Sequence, residues 1–338
     1  MKKIIITAAL LLVAAMILSS CTININGFSL YDVYSNADKY TAGSFEYGRS
    51  EIKKVVIDWV SGRVEVEEDN GETLKVYEDS ESLEEAKRIH YYIDNGVLRI
   101  RFCASGYNGT FTPDEIEKNK TVHVNIPDGI DVEINTVSAT VWLYTAHPYT
   151  SPAASKTVTA KPLSVKIATT SGDVDTGKFE CGKATFTSVS GEIKTGALIC
   201  DEGKIETVSG TLNILGTVKS LTAKSISGDI TFIGYATENA KFESVSGGIF
   251  AKGNIASISA KSVSGAVEVG GIFENATVYT TSGNVTITDF SGTLEFKSTS
   301  GKLKSDIPHT EDGGTYKFGD GEYTAKVSTV SGNLTIGE

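Results

Sequence analysis

Residues 219–233 read KSLTAKSISGDITFI, residues 238–252 read ENAKFESVSGGIFAK, and residues 256–270 read ASISAKSVSGAVEVG. Aligned on their Ser-Gly pairs, the three stretches share columns. Small or apolar residues stand six and four before the serine, a hydroxyl residue two before it, and an aliphatic residue three after it. The same frame recurs at Ser171-Gly172, Ser190-Gly191, Ser209-Gly210, Ser227-Gly228, Ser246-Gly247, Ser264-Gly265, Ser282-Gly283 and Ser300-Gly301, at spacings of 19, 19, 18, 19, 18, 18 and 18 residues. Three further copies match the same columns: Val55, Ile57, Ser61, Gly62, Val64, Val66; Val132, Ile134, Ser138, Ala139, Val141, Leu143; and Ala325, Val327, Ser331, Gly332, Leu334, Ile336.

Apolar period two on both sides of a turn predicts strand, turn, strand. One such rung cannot stand alone, because its few inward side chains, worth roughly 1.5 to 3 kcal/mol each, face roughly 1 to 2 kcal/mol of backbone entropy per ordered residue. Rungs must therefore stack, each strand pairing with its copies at roughly 4.8 Å. The constant period predicts an all-β, single-stranded β-solenoid of Ser-Gly rungs rather than a sandwich, whose strand lengths need not repeat. The eight regular frames would rise roughly 35 to 40 Å on that spacing. The Ser-Gly pairs are structural turn formers, their hydroxyls satisfying backbone groups.

Outside this block the period breaks. Residues 88–103 alternate around Asp94-Asn95-Gly96, a hairpin signal. A polar loop is expected over 104–120 and a strand over 122–126, and three of the six prolines fall in a loop over 147–162. The domain reading is a leader over 1–20, a tether over 21–50, an irregular N-terminal β section over 51–162 and regular solenoid repeats over 163–338.

The leader begins with Lys2 and Lys3, continues with an apolar run from Ile4 to Leu18, and ends in Ser19-Ser20-Cys21. It has the form of a secretory signal, and Leu18-Ser19-Ser20-Cys21 resembles the lipobox of bacterial lipoproteins. That resemblance implies cleavage before Cys21 and a diacylglycerol on its thiol. Stable anchoring needs more than one acyl chain, which a lipoprotein supplies. The expected partner is the membrane, reached through Cys21, and the expected location is extracytoplasmic, on the cell surface.

Composition narrows the class. The 34 glycines and 6 prolines in 338 residues, with 40% hydrophobic residues, exclude collagen and low-complexity disorder. A formal charge of −11 argues against a nucleic-acid partner, since phosphate neutralisation needs a basic face. No cofactor or metal is expected. His90, His123, His147 and His309 fall at no ligand spacing, and repeated serines without a matching histidine column are no nucleophile. Acids such as Asp173 with Asp175, or those between Asp312 and Glu322, fit neither the EF-hand nor the glycine-rich calcium repeat. Cys181 and Cys200 both stand nine residues before a frame serine, hence as stacked neighbours. Their Cα spacing would allow a disulfide, while their parallel Cβ vectors do not converge; the pairing stays open.

The assembled pattern resembles the bacterial "putative adhesin" family of β-strand-repeat domains, domains of unknown function in cell-envelope proteins. The likeness rests on Ala37 to Gly43, on Ile57-Asp58-Trp59-Val60-Ser61-Gly62, on the Ser-Gly ladder, and on Phe318 to Glu322 with Thr329-Val330-Ser331-Gly332-Asn333. It implies surface exposure and no transferable catalytic residue. The expected function is a non-enzymatic, membrane-anchored surface lipoprotein acting as an adhesin-like stalk or interaction protein towards an unknown envelope or host-surface partner. The alternative is an envelope-stress or signalling component that binds a protein or cationic peptide. A polysaccharide-active enzyme would need carboxylates in adjacent rungs, and the column two after the serine offers one adjacent pair, Asp173 and Glu192.

Overall fold

A computed structural model describes residues 33–69, 71–79, 82–145 and 163–337. The leader, Cys21 and the expected loop over 147–162 lie outside the described residues. The chain is all-β and solenoid-like, a long mixed sheet that runs parallel between consecutive strands and does not close on itself. It divides into two compact units, the first ending at Ala197 and the second beginning at Leu198.

In the first unit the frame columns become sheet columns. Before the turn, Val55 and Ile57 of Lys54–Trp59 stand beside Val132 and Ile134 of Asp131–Thr136, and these beside Val165 and Ile167 of Ser164–Thr169. After the turn, Val64 and Val66 of Arg63–Asp69 stand beside Val141 and Leu143 of Thr140–Thr145. All ten side chains are buried, so the period-two pattern builds one continuous apolar column on each side of the turn.

A further rung lacks the Ser-Gly signature. Val97–Arg101 sets Leu98 and Ile100 beside Val55 and Ile57, and Thr121–Pro127 sets Val122 and Val124 beside Val64 and Val66. In place of a tight turn, residues 102–120 make a detour that includes the helix Pro113–Asn119. The helix starts at a capping box between Thr112 and Glu115, which satisfies two otherwise orphaned backbone donors. The Ser61 rung is therefore interior, with a rung later in the chain on either side of it.

Antiparallel strands close this end. His90–Asp94 pairs with Val97–Arg101, and Thr73–Glu78 pairs with Thr121–Pro127, so both halves of the outermost rung are covered. Thr41–Ala42 and Phe45–Gly48 extend the cover. Within the segment read as a tether, residues 41–48 thus pair with the sheet. Phe45 stacks on Tyr91 at a ring distance of 3.6 Å and Tyr47 meets the same ring edge-on, which gives the segment aromatic surface to pack against.

In the second unit each long strand runs from one Ser-Gly turn to the next: Leu212–Ser225, Ile230–Ser244, Ile249–Ser262 and Val267–Thr280. They bend at a second corner that the Ser-Gly reading did not include. There Gly216, Gly234, Gly253 and Gly271 stack in register. With φ of +149° at Gly253 and +90° at Gly271, this corner takes a backbone that residues with a Cβ avoid.

The last rungs do not stack in sequence order, which corrects the expectation of regular repeats through residue 338. Tyr323–Thr329 pairs with Val267–Thr280 on one side and with Gly292–Ser298 on the other. Leu334–Gly337 likewise lies between Val285–Thr288 and Leu303–Ser305. The spatial order is thus Ser282, Ser331, Ser300. The excursion between residues 306 and 322 makes this possible, folding as the hairpin His309–Asp312 and Thr315–Phe318 that packs antiparallel on Gly292–Ser298.

Candidate interaction surface

The turn serines sit on the outside, and their hydroxyls are used up within the fold. Ser171 donates to Val137 O at 3.2 Å, Ser190 to Thr170 O at 3.3 Å, Ser246 to Ile226 O at 3.3 Å and Ser264 to Val245 O at 3.3 Å. Ser227 and Ser282 repeat the bond to Val208 O and Val263 O. Ser331 donates to Thr281 O and Ser300 to Val330 O, which repeats the exchanged order of the last rungs. Two residues before the serine, Thr169, Thr207 and Thr329 accept the N–H of Gly172, Gly210 and Gly332. The serine hydroxyls tie one rung to the next, and the threonine hydroxyls close their own turns.

Of the acidic pair that an enzyme would need, Asp173 has a place in the scaffold. Asp173 accepts the backbone N–H of Glu192 at 2.8 Å, as Asp229 accepts that of Gly248 at 2.7 Å. Cys181 and Cys200 are fully buried, and the structure carries them as thiols. Burial pushes the Cys103 thiol up to about 11, which makes it a poor nucleophile. Among the described residues, no three His, Cys, Asp or Glu side chains group as a metal site.

Two outward faces, one in each unit, carry most of the exposed large apolar side chains. In the second unit the glycine corner is flanked by Leu215 beside Ile233, and by Tyr235 and Ile272 on either side of Asn254. Tyr235 is 57% exposed and Ile272 55%. With no side chain on the corner itself, they stand out beside it as a strip of apolar side chains interrupted by Asn254.

In the first unit a straight row crosses five strands in register: Asp175, Trp142, Glu65, His123 and Tyr77. The Arg63 guanidinium lies 4.2 Å from the centre of the Trp142 ring and bonds Glu65 at 3.2 Å. His123 Nδ1 lies 3.0 Å from Glu65, Nε2 lies 2.5 Å from Asp79, and its ring stacks on Tyr77 at 4.6 Å. Sequence spacing could not find this row, because its members come from five separate strands.

One buried polar group was also missed. Lys120 occupies the turn-glycine column of the outermost rung and accepts Arg63 N–H through its carbonyl at 3.0 Å. Its ammonium donates to Glu78, to Lys87 O at 3.0 Å and to Phe102 O at 2.7 Å, between the rings of Trp59 and Phe102. Burial pushes the Lys120 ammonium below its ordinary value and the Glu78 carboxyl above its own, and their ion pair opposes both shifts. A lone lysine in a polar loop gave no sign of a buried partner 42 residues away.

Fold and surface together define a class, an all-β solenoid domain whose repeated polar groups are spent on the scaffold and whose distinctive exposed groups are aromatic and aliphatic. A family model for the Toastrack domain, DUF4097, matches residues 52–337, and the chain belongs to that family. No curated protein matches it. Among solved structures it is similar to a "putative adhesin" from Parabacteroides merdae, at 14% identity, covering 89% of this chain and 96% of that one with a TM-score of 0.43. A "putative adhesin" from Parabacteroides distasonis matches at 13% identity over 89% and 97%, with a TM-score of 0.40. A "putative lipid binding protein" from the same organism matches at 13% over 88% and 96%, with a TM-score of 0.35.

Proposed function

We propose that this is a non-enzymatic protein of the bacterial cell surface, anchored to the membrane by lipid on Cys21, whose solenoid acts as an adhesin-like or stalk-and-interaction surface. The observation that carries the reading is the strip of Leu215, Ile233, Tyr235 and Ile272 standing out beside a bare glycine corner. Contiguous exposed apolar groups on a folded surface mark contact sites. The anchor is supported by the basic, apolar and small-residue order of the leader ending at Cys21. Fatty-acid labelling and cell fractionation test it. The native chain is expected to take up label and sediment with membranes, and Cys21→Ala to do neither; a native chain that is unlabelled and released would overturn the anchor.

A second reading, a stress or signalling component that binds a cationic peptide, is favoured by the row in the first unit. Its Trp142 ring already holds the Arg63 guanidinium, and Asp175, Glu65 and Asp79 lie along it. Aromatic faces lined with carboxylates attract cations. Saturable binding of an oligolysine peptide that is weakened in Trp142→Ala supports this reading, and binding indifferent to that change counts against it.

A further inference from the structure

The outermost rungs of the two units are finished differently. At the end in the first unit, antiparallel strands cover both halves of the outermost rung. At the end in the second unit, Thr315–Phe318 covers only the half before the turn. The half after the turn, Leu303–Ser305, pairs with Leu334–Gly337 on one side. Among the described residues no strand pairs with its other side. Leu334 N–H bonds Lys302 O, so by alternation the backbone groups of Leu303 and Ser305 point to that open side.

Two more observations fall at the same place. Phe296 occupies the column four before the turn serine, where Phe186 and Phe242 are completely buried, and Leu303 occupies the column of the completely buried Leu334. In this outermost rung both are only half-buried. Together with Lys304, His309, Glu311 and Tyr316 they line an open groove of about 840 Å³. Among the described residues the apolar core thus ends only partly covered, beside a strand edge whose outward backbone donors and acceptors no strand takes up. Lys302 and Lys304 are exposed on the outward face of that edge, and neither forms an ion pair among the described residues, in a chain of net charge −11.

We infer that this edge is a strand-addition site for an extended segment of a partner protein in which apolar and acidic residues alternate. Backbone bonds to Leu303 and Ser305 supply the docking register. The incoming strand's apolar side chains cover Phe296 and Leu303, and its acidic side chains face Lys302 and Lys304 across the pair. Glu311 is held by the Tyr316 hydroxyl at 3.0 Å, and Asp306 lies past the end of the strand. A second copy of the chain is a poorer occupant, since it would bring its own lysines to the same face, a device that keeps strand edges apart. The inference deepens the reading of the chain as an interaction protein and rests on it. Peptide binding to purified protein leaves the anchoring test independent.

The test uses the full chain and a synthetic peptide of alternating glutamate and valine. Saturable binding is expected, with amide exchange slowed at Leu303 and Ser305. Lys302→Glu with Lys304→Glu, both exposed changes that leave the core intact, should weaken binding by about tenfold or more. A peptide with proline at alternate positions, which lacks the ladder donors, should not bind. No saturable binding up to about 1 mM, or binding indifferent to the charge reversal or to proline, would overturn the inference. Slowed exchange at Leu303 and Ser305 that depends on protein concentration without peptide would overturn it too, by giving the edge to a second copy.

Discussion

The turn glycines are required by what lies next to them rather than by their own dihedral angles. A Cβ on Gly228 would stand 1.9 Å from Gly210 O, and one on Gly247 would stand 2.1 Å from Gly228 O. The alanine of the family of turns, Ala139, stacks on Gly62, and among the turn glycines it is Gly62 that takes positive φ, at +85°. Gly228→Ala should therefore destabilise by roughly 1 to 3 kcal/mol, the usual range for overpacking, whereas Ala139→Gly should lie within about 1 kcal/mol of the native chain. Urea unfolding of the two variants checks this. Lys120 makes a contrasting case. Lys120→Met leaves the Glu78 carboxylate buried without its ion partner and should cost roughly 3 to 5 kcal/mol. Adding Glu78→Leu should recover much of that loss, and denaturation of the single and double variants would measure the recovery.

At the scale of elements, the unexpected result is that the first and last rungs of the sequence are interior rungs of the structure. The Ser331 rung is clamped between the Ser282 and Ser300 rungs, so the end of the chain is pinned by two ladders rather than left to fray. Removing residues 322–338 should then cost more than one rung. With only Thr315–Phe318 left beside Gly292–Ser298 and no strand left beside Leu303–Ser305, both segments should lose protection as well, seen as faster amide exchange across 292–305. A stack in sequence order would instead leave that segment protected on the Ser282 rung. The rung made by Val97–Arg101 and Thr121–Pro127 shows the same economy at the other end. Its strands carry the column residues Leu98, Ile100, Val122 and Val124, but residues 102–120 separate them where the other frames have a serine and a glycine. The columns were present in the sequence and the punctuation was not.

Across the whole molecule, electrostatics sets the pH response. Burial pushes the Glu133 carboxyl up, but hydrogen bonds from Lys54 and Lys166 outweigh it and hold that carboxyl below its ordinary value. Glu243 is held down in the same way by Lys241 and Lys224. Carboxyl groups with lowered folded-state values add stability above their unfolded value of roughly 4.3, and that stability is lost as pH falls through the folded value. Burial also lowers His90, so protonation of the unfolded chain below roughly pH 6.5 works in the same direction. Glu78, which burial raises, works the other way, but it is one group against three, so stability should fall from pH 7 to pH 3, and Lys54→Met with Lys166→Met should flatten the acid limb. Thermal melts at pH 7, 5 and 3 would check both statements.

The sequence by itself determined the repeat: its period, its inward columns, its turn and the all-β solenoid class, because local period-two patterning and a fixed spacing leave a chain few ways to bury its apolar side chains. The second glycine column was legible too, seven residues after Ser209, Ser227, Ser246 and Ser264, but a glycine without a companion residue is easily passed over. Only the tertiary structure decided which rung lies beside which, how each end is covered, and which side chains share a surface. Those outcomes depend on pairing between segments tens of residues apart. The row from Asp175 to Tyr77, the Lys120–Glu78 pair and the open edge at Leu303 exist only once strands distant in sequence have been laid side by side.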